Sequence, residues 1–412
     1  MAETEDFLPA HSLLGGSSMH RWLACPGSFR LSRDVPPRPA SVYAATGTVA
    51  HRLIEHALSK AITQGGISRR LVSFDDVLGR TCTQDDHPVV IDDAMVESVG
   101  VALMHIISQD PVWFVSELRV RLDEYFKKRP SPPPVRLFGH VDVALIDQAG
   151  DLEVVDYKHG SGIVIEIEDN PQLLYYAAGT LAELSRTRPD LYERVRSVKL
   201  TVVQPNVRHR DKIRSWTVDM LDVVIWAQDV LVPAVERCAE PDAPLATGDH
   251  CRFCPVAHAC PALGAKAVEM AKRDFADHVL PDTPDTLAEA LITAELAEVW
   301  IDAVRAYAIE KLKADPAAVT GWGLGPTRPL RRWVDETEVE QVLRMLRVPD
   351  DRTHVTTLLS PAQMEKALKR HRQTQDTWDR HLVPFVKSQS SGVKLVRQAQ
   401  DKTSAAADFS EN

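Results

Sequence analysis

The stretch GHVDVALIDQAGDLEVVDYK, residues 139–158, reads as a β-hairpin that carries two carboxylates and a lysine. Val, Ala, Leu and Ile fill the run around Asp142, and Leu152 to Lys158 form a second β-rich run. Between them Gln148-Ala149-Gly150 has turn chemistry. Asp156 and Lys158 are two apart and project from the same face of a strand. A three-residue loop with Gly150 in the left-handed position would pair Asp147 with Asp151 and set Asp142 opposite Asp156. A two-residue loop would turn Asp142 to the other face. Read alone, the same pattern also suits a surface hairpin wetted by its charges, so the flanking elements decide between the two.

Upstream, Gly47-Thr48-Val49-Ala50-His51 opens a helical run to about residue 62, with His51 and Glu55 four apart on one face. Residues 113–122 are apolar and β-rich, which puts Glu117 on the strand before the hairpin. Downstream, Asp169-Asn170-Pro171 is a helix start, with capping residues ahead of a proline. Gln172 and Tyr176 then share one face of the new helix. The order Gly-x-x-x-His, Gly-x-x-Asp, Asp-x-Lys, Gln-x-x-x-Tyr resembles the RecB-type branch of the PD-(D/E)xK nuclease superfamily.

That resemblance implies an α/β fold, a restriction-endonuclease-like core with a mixed sheet flanked by helices. It also implies a metal-dependent DNA nuclease, with exonuclease action expected. Asp142, Asp156, Lys158, Gln172 and Tyr176 would be its catalytic residues. His51, Asp142, Asp156 and the Tyr157 carbonyl would hold Mg²⁺ or Mn²⁺, hard cations that take oxygen ligands, with the imidazole favouring manganese. Glu117 would stand behind these ligands. The competing class is a catalytically silent protein that binds DNA ends or a partner on the same fold. The presence of every expected polar residue argues against silence.

Six cysteines, Cys25, Cys82, Cys238, Cys251, Cys254 and Cys260, occur in a chain whose first residues, MAETEDFLPAHSLL, are acidic and lack a hydrophobic segment. A cytoplasmic location is therefore expected, and clustered cysteines there suggest metal or redox chemistry. The resemblance extends to RecB-like nucleases in which one cysteine precedes the core and three follow it. It implies a 4Fe–4S cluster on Cys25, Cys251, Cys254 and Cys260. Structural zinc is the alternative, with His258 as a substitute ligand. Cys82 and Cys238 read as structural residues, Cys238 also as a less favoured fourth ligand.

The chain has 412 residues and a net charge of −10, which does not advertise a nucleic-acid binder but leaves room for local basic surface. The tract with Arg208, Arg210 and Lys212 follows a strand expected at residues 199–204 and could meet backbone phosphates. The sequence has no strong internal repeat and no glycine-rich phosphate loop, so no helicase motor is expected. It divides into a loose N-terminus (1–16), a nuclease region with the cysteines (17–264), a mainly helical region (265–387) and a mobile tail (388–412). Gly321-Trp322-Gly323-Leu324-Gly325-Pro326 reads as a turn. RWLACPGS (21–28), Arg331-Arg332-Trp333 and SPAQMEKALK (360–369) resemble a phage-encoded family of RecB-like nuclease proteins. That resemblance implies a host-cytoplasmic location, with DNA and phage recombination or replication proteins as partners.

Overall fold

The computed structural model describes residues 12–36, 40–63, 74–160, 164–207, 209–276, 283–326, 329–349, 353, 359–370, 375–390 and 393–397. The chain divides into two compact units, Met1–Trp300 and Ile301–Asn412. In the first, a mixed sheet of five strands has the order β3-β4-β5-β6-β7. These are β3 (Trp113–Arg121), β4 (Phe138–Ile146), β5 (Leu152–Tyr157), β6 (Ser197–Val203) and β7 (Ile213–Asp219). β5 and β6 are parallel and the other pairs antiparallel. The hairpin β1 (Thr81–Gln84) and β2 (His87–Val90) lies apart from this sheet.

Helices cover both faces. On one, α5 (Pro171–Thr187), α1 (Met19–Ala24), α7 (Met220–Trp226) and α8 (Val232–Ala239) bury a core that includes Leu14, Trp22, Val154, Tyr175 and Leu200. On the other, α3 (Val42–Thr63) and α4 (Asp93–Ser108) bury Val143, Leu145, Val155 and Tyr157. β5 lies between both cores, and all six of its residues are buried. The parallel β5–β6 pair requires a crossover, which α5 supplies. Asn170 caps that helix by accepting from Gln172 N and Leu173 N, ahead of Pro171 in the first turn.

The hairpin has the three-residue loop. Asp147 N bonds Asp151 O at 3.1 Å, Gly150 N bonds Asp147 O at 3.1 Å, and Gly150 has φ +95°. The ladder runs Val143–Val155 to Ile146–Leu152, so one step further in the same register sets Asp142 against Asp156.

Other expectations need correction. Residues 12–16 are not loose: Leu14 and Gly16 are buried, Ser12 Oγ donates to Arg136 O at 2.7 Å, and Trp22 Nε1 donates to Gly15 O at 3.2 Å. The two compact units divide at 300/301, beyond the 264/265 boundary expected from the sequence. α4, unassigned from sequence, supplies Val99, Ala102, Leu103 and Ile106 to a core. Residues 1–11 and 398–412 lie outside the described residues.

In the second unit, Trp322–Pro326 is a strand and not a turn, paired with Val393–Arg397. Pro329–Trp333 pairs with Val386–Ser390, and the two ladders share one register. The tail expected to be mobile from residue 388 thus contributes to both ladders. A small core of Val339, Leu343, Met364, Leu368 and Trp378 belongs to this unit. Among the described residues no helix is long and apolar enough to cross a membrane.

Candidate active site

The side-chain alternation of two neighbouring strands fails at one level, and the acidic residues gather there. On β3, Trp113 and Val115 pack toward α5 and Phe114 toward α3 and α4. Three residues after Val115, Leu118 packs toward α5, as does Val120, so the faces exchange at Glu117. Glu117 has φ +50° and takes no part in the ladder that pairs Ser116 with Val143 and Leu118 with Val141. β4 does the same at Asp142: Ala144 and Ile146 face α5, but so does Val141. A left-handed backbone costs a non-glycine residue about 1–2 kcal/mol, and here it lies beside the acidic cluster. Glu117, Asp142 and Asp156 occupy one row across three strands, read from the register of both ladders.

Above this row, His51 Nδ1 on α3 lies 3.3 Å from Asp142 Oδ1 and 3.8 Å from Glu117 Oε1. The ligand atoms of these three residues all lie within 4.8 Å of one another. The expected set of His51, Asp142, Asp156 and Tyr157 is thus only partly assembled as such. Glu117, expected behind the ligands, stands among them, and Asp156 is engaged elsewhere. Lys158 Nζ donates to Asp156 Oδ1 at 2.8 Å, and Gln172 Nε2 donates to the same oxygen at 3.2 Å. Asp142 Oδ2 accepts the Tyr157 N–H at 2.7 Å, and the Tyr157 ring meets His51 edge-on at 5.5 Å. Gln172 Nε2 also reaches the Tyr176 hydroxyl at 3.4 Å. A cavity of about 460 Å³ opens over His51, Glu117 and Asp142, with Gly15, Arg52 and Tyr176 on its walls.

The charges respond to this crowding. Burial, with the Asp142 carboxylate adding to it, pushes the Glu117 carboxyl up to about 6. Burial would raise Asp142 and lower His51, but their mutual attraction outweighs it, so Asp142 falls and His51 rises. Burial would also lower Lys158, yet the Asp156 and Asp142 carboxylates hold its pKa above the usual lysine value. Lys158 is therefore a cation at neutral pH. Asp156 is raised, chiefly by burial.

Two motifs meet at one ring. A Cβ on Gly139, the glycine of Gly-x-x-Asp, would lie 2.9 Å from Tyr176 Cε1, the tyrosine of Gln-x-x-x-Tyr. A Cβ on Gly16 would lie 2.8 Å from the same atom. Tyr176 is held between two glycines, which leaves its hydroxyl where Gln172 meets it. Gly139→Ala should therefore lose about 1–3 kcal/mol of stability by overpacking, measured by denaturant unfolding. A wild-type midpoint would contradict this account. Gly47 meets nothing within 4 Å, so no such contact demands a glycine there.

Four of the cysteines lie around a second cavity. Cys25, Cys251, Cys254 and Cys260 line one cavity, together with Leu31, Val256 and Leu263. No three of these thiols lie within 4.8 Å of one another. His250 also lines the cavity; His258 does not. Hydrogen bonds to the Cys25 and Cys251 thiols push His250 up to about 10. At Cys25 the hydrogen bonds from His250 and Ala246 N outweigh burial and lower the thiol's pKa. Cys238 is buried with Sγ 3.7 Å from Trp22 O and raised to about 12, and Cys82 bonds Val89 O within the β1–β2 hairpin.

Residues 11–403 match the model of a family described as a protein of unknown function, DUF2800. The chain belongs to the DUF2800 family. The match covers the His51 helix, the hairpin, the cysteine loop and both ladders of the second unit, so these features fall within one family unit.

The expected DNA-binding tract is only partly described. Arg208 lies outside the described residues, Arg210 is exposed, and the Lys212 ammonium donates to Val207 O in its own loop. Arg52, which the sequence reading did not single out, is the arginine that borders the cavity.

Proposed function

We propose that this protein is a divalent-metal-dependent deoxyribonuclease that hydrolyses phosphodiester bonds. The observation that carries the reading is Lys158, its ammonium 2.8 Å from Asp156 Oδ1, beside a His–Glu–Asp set fit for a divalent cation. Two carboxylates and one imidazole suit Mn²⁺ or Mg²⁺. Such an ion lowers the pKa of water and offsets charge on a phosphate.

The chain's own residues do the rest. His51, Glu117 and Asp142 would hold the ion, and the Tyr157 N–H fixes the orientation of the Asp142 carboxylate. Lys158 already bears its proton, so its role is to offset charge that builds on the phosphate oxygens in the transition state. Asp156 holds that ammonium in place, Gln172 fixes the Asp156 carboxylate, and Gln172 also meets the Tyr176 hydroxyl. Arg52 would meet a phosphate on the cavity wall. The reading places the enzyme in phage DNA replication, recombination or end processing, with exonuclease action.

The four-thiol cavity supports a 4Fe–4S cluster first and structural zinc second. Four thiolates suit such a cluster, and they also make a closed tetrahedral zinc site.

The decisive assay uses end-labelled linear DNA and closed circular DNA with Mn²⁺ or Mg²⁺, and EDTA as control. Metal-dependent loss of the linear substrate is expected, with the circle spared if the action is exonucleolytic. Binding without cleavage under every metal condition would leave a DNA-end- or partner-binding protein instead.

Metal binding should depend on pH. A cation must displace protons from both Glu117 and His51, whose pKa values are raised. Mn²⁺ affinity should therefore fall as pH drops through about 6, and Glu117→Gln should make that fall shallower as well as weaken binding. Titration of Mn²⁺ by electron paramagnetic resonance between pH 5 and 8 would show it. A Glu117→Gln protein with the wild-type affinity and pH profile would remove Glu117 from the ligand set.

A further inference from the structure

Arg21, in the Arg21-Trp22-Leu23-Ala24-Cys25 segment, is a buried guanidinium without an acidic partner among the described residues. It is 8% exposed. Its Nη1 donates to Ser28 Oγ at 3.0 Å, Ser32 Oγ at 3.3 Å and Ser28 O at 3.4 Å. Ser28, which takes its shortest hydrogen bond, lines the cavity of Cys25, Cys251, Cys254 and Cys260, and the Cys254, Cys25 and Cys238 thiols are the ionisable groups that bear on its charge. Hydroxyls and a carbonyl satisfy donors, but they do not balance a charge removed from water, and a guanidinium cannot shed its proton. A protein keeps such a group when an anion is meant to sit beside it.

We propose that Arg21 is the counter-charge of a metal centre that Cys25, Cys251, Cys254 and Cys260 hold as thiolates. This rests on the four-thiolate reading above. Four thiolates around a zinc ion or an oxidised four-iron core leave a net charge of about −2. A buried anion of that kind needs a nearby cation, and Arg21 sits on α1, four residues before Cys25. Ser28 and Ser32, on α2 (Gly27–Ser32), aim the guanidinium. His250 is a second donor to the Cys25 and Cys251 thiols.

The arrangement has a consequence that simple pinning of α1 to α2 lacks. With the centre loaded, Arg21 stabilises the protein; with the thiols protonated and no metal present, the same charge is uncompensated and destabilising. Arg21→Gln should therefore act with opposite sign on the two forms.

The test uses the full chain, purified anaerobically, as wild type, Arg21→Gln and Arg21→Lys. Iron, sulfide and zinc are measured first, then the rate of metal loss to a chelator, then thermal midpoints of the loaded and stripped proteins. Arg21→Gln should lose metal roughly tenfold faster or more, the effect typical of residues that support metal ligands. Arg21→Lys, which keeps the charge, should stay within about threefold of wild type. The stripped Arg21→Gln protein should melt at or above stripped wild type. If the metal is iron, the midpoint potential of Arg21→Gln should fall, because the reduced cluster carries the additional electron without its counter-charge. Wild-type metal retention in Arg21→Gln, or a lower midpoint in both forms, would overturn the proposal. If the stripped chain does not refold, the chelator rates decide alone. A wild type with neither iron nor zinc would sink the four-thiolate reading itself, a result distinct from metal-loaded wild type with an indifferent Arg21→Gln.

Discussion

Lys158→Ala should slow DNA cleavage by about a hundredfold or more while leaving DNA binding largely intact. The size follows from removing one preorganised charge contact from the transition state, and the direction follows from Lys158 being a cation that already donates to Asp156. The substitution also leaves the buried Asp156 carboxylate with Gln172 as its remaining described donor. Part of its charge would then be lost to protonation, because Asp156 is raised by burial even with the lysine present. Single-turnover cleavage of end-labelled DNA and a binding titration without metal separate the two effects. Equal cleavage by wild type and Lys158→Ala would end the catalytic assignment; weakened binding with unchanged chemistry would make Lys158 a DNA contact.

With a metal at the proposed four-thiolate site, Cys251→Ser should abolish metal loading there and cost a large part of the stability. Cys251 sits in a short 3-10 turn, Asp249–Phe253, and faces the same cavity as Cys25, which ends α1. A structural metal contributes about 10–16 kcal/mol to folding in small zinc peptides, so losing one of four ligands should remove several kcal/mol. Metal analysis and thermal unfolding read the two consequences, with Cys82→Ser as the control, because Cys82 lies in the β1–β2 hairpin and outside the cavity. A Cys251→Ser protein with wild-type metal content and midpoint would take Cys251 out of the centre.

The hairpin was legible because its register is local. Gln148-Ala149-Gly150 carries its own turn, and Asp147 reinforces it by accepting from Gly150 N and Asp151 N. The Asn170-Pro171 helix start was legible for the same reason: a cap and a proline act within one turn. Glu117's position could be read, but its role could not. Its conformation depends on two strands exchanging faces at once, which no run of β-formers announces. The stretch 12–16, Ser-Leu-Leu-Gly-Gly, reads as part of a loose, glycine-bearing start, yet it packs because Tyr176 and Arg136, far along the chain, supply its contacts. Trp322–Pro326 looks like a turn for its glycines and becomes a strand through pairing with residues 393–397. In the sequence Arg21 is only the first residue of RWLACPGS, since a missing counter-ion is visible only in three dimensions.

β3 is an edge of the five-stranded sheet. An edge strand offers unpaired N–H and C=O groups to any other strand that comes by, and a straight one is a template for aggregation. The left-handed backbone at Glu117 interrupts that row midway, and Arg119 and Arg121 stand exposed beyond it. The bend that gathers the acids thus also makes the edge a poor docking rail, and helps keep the sheet at five strands.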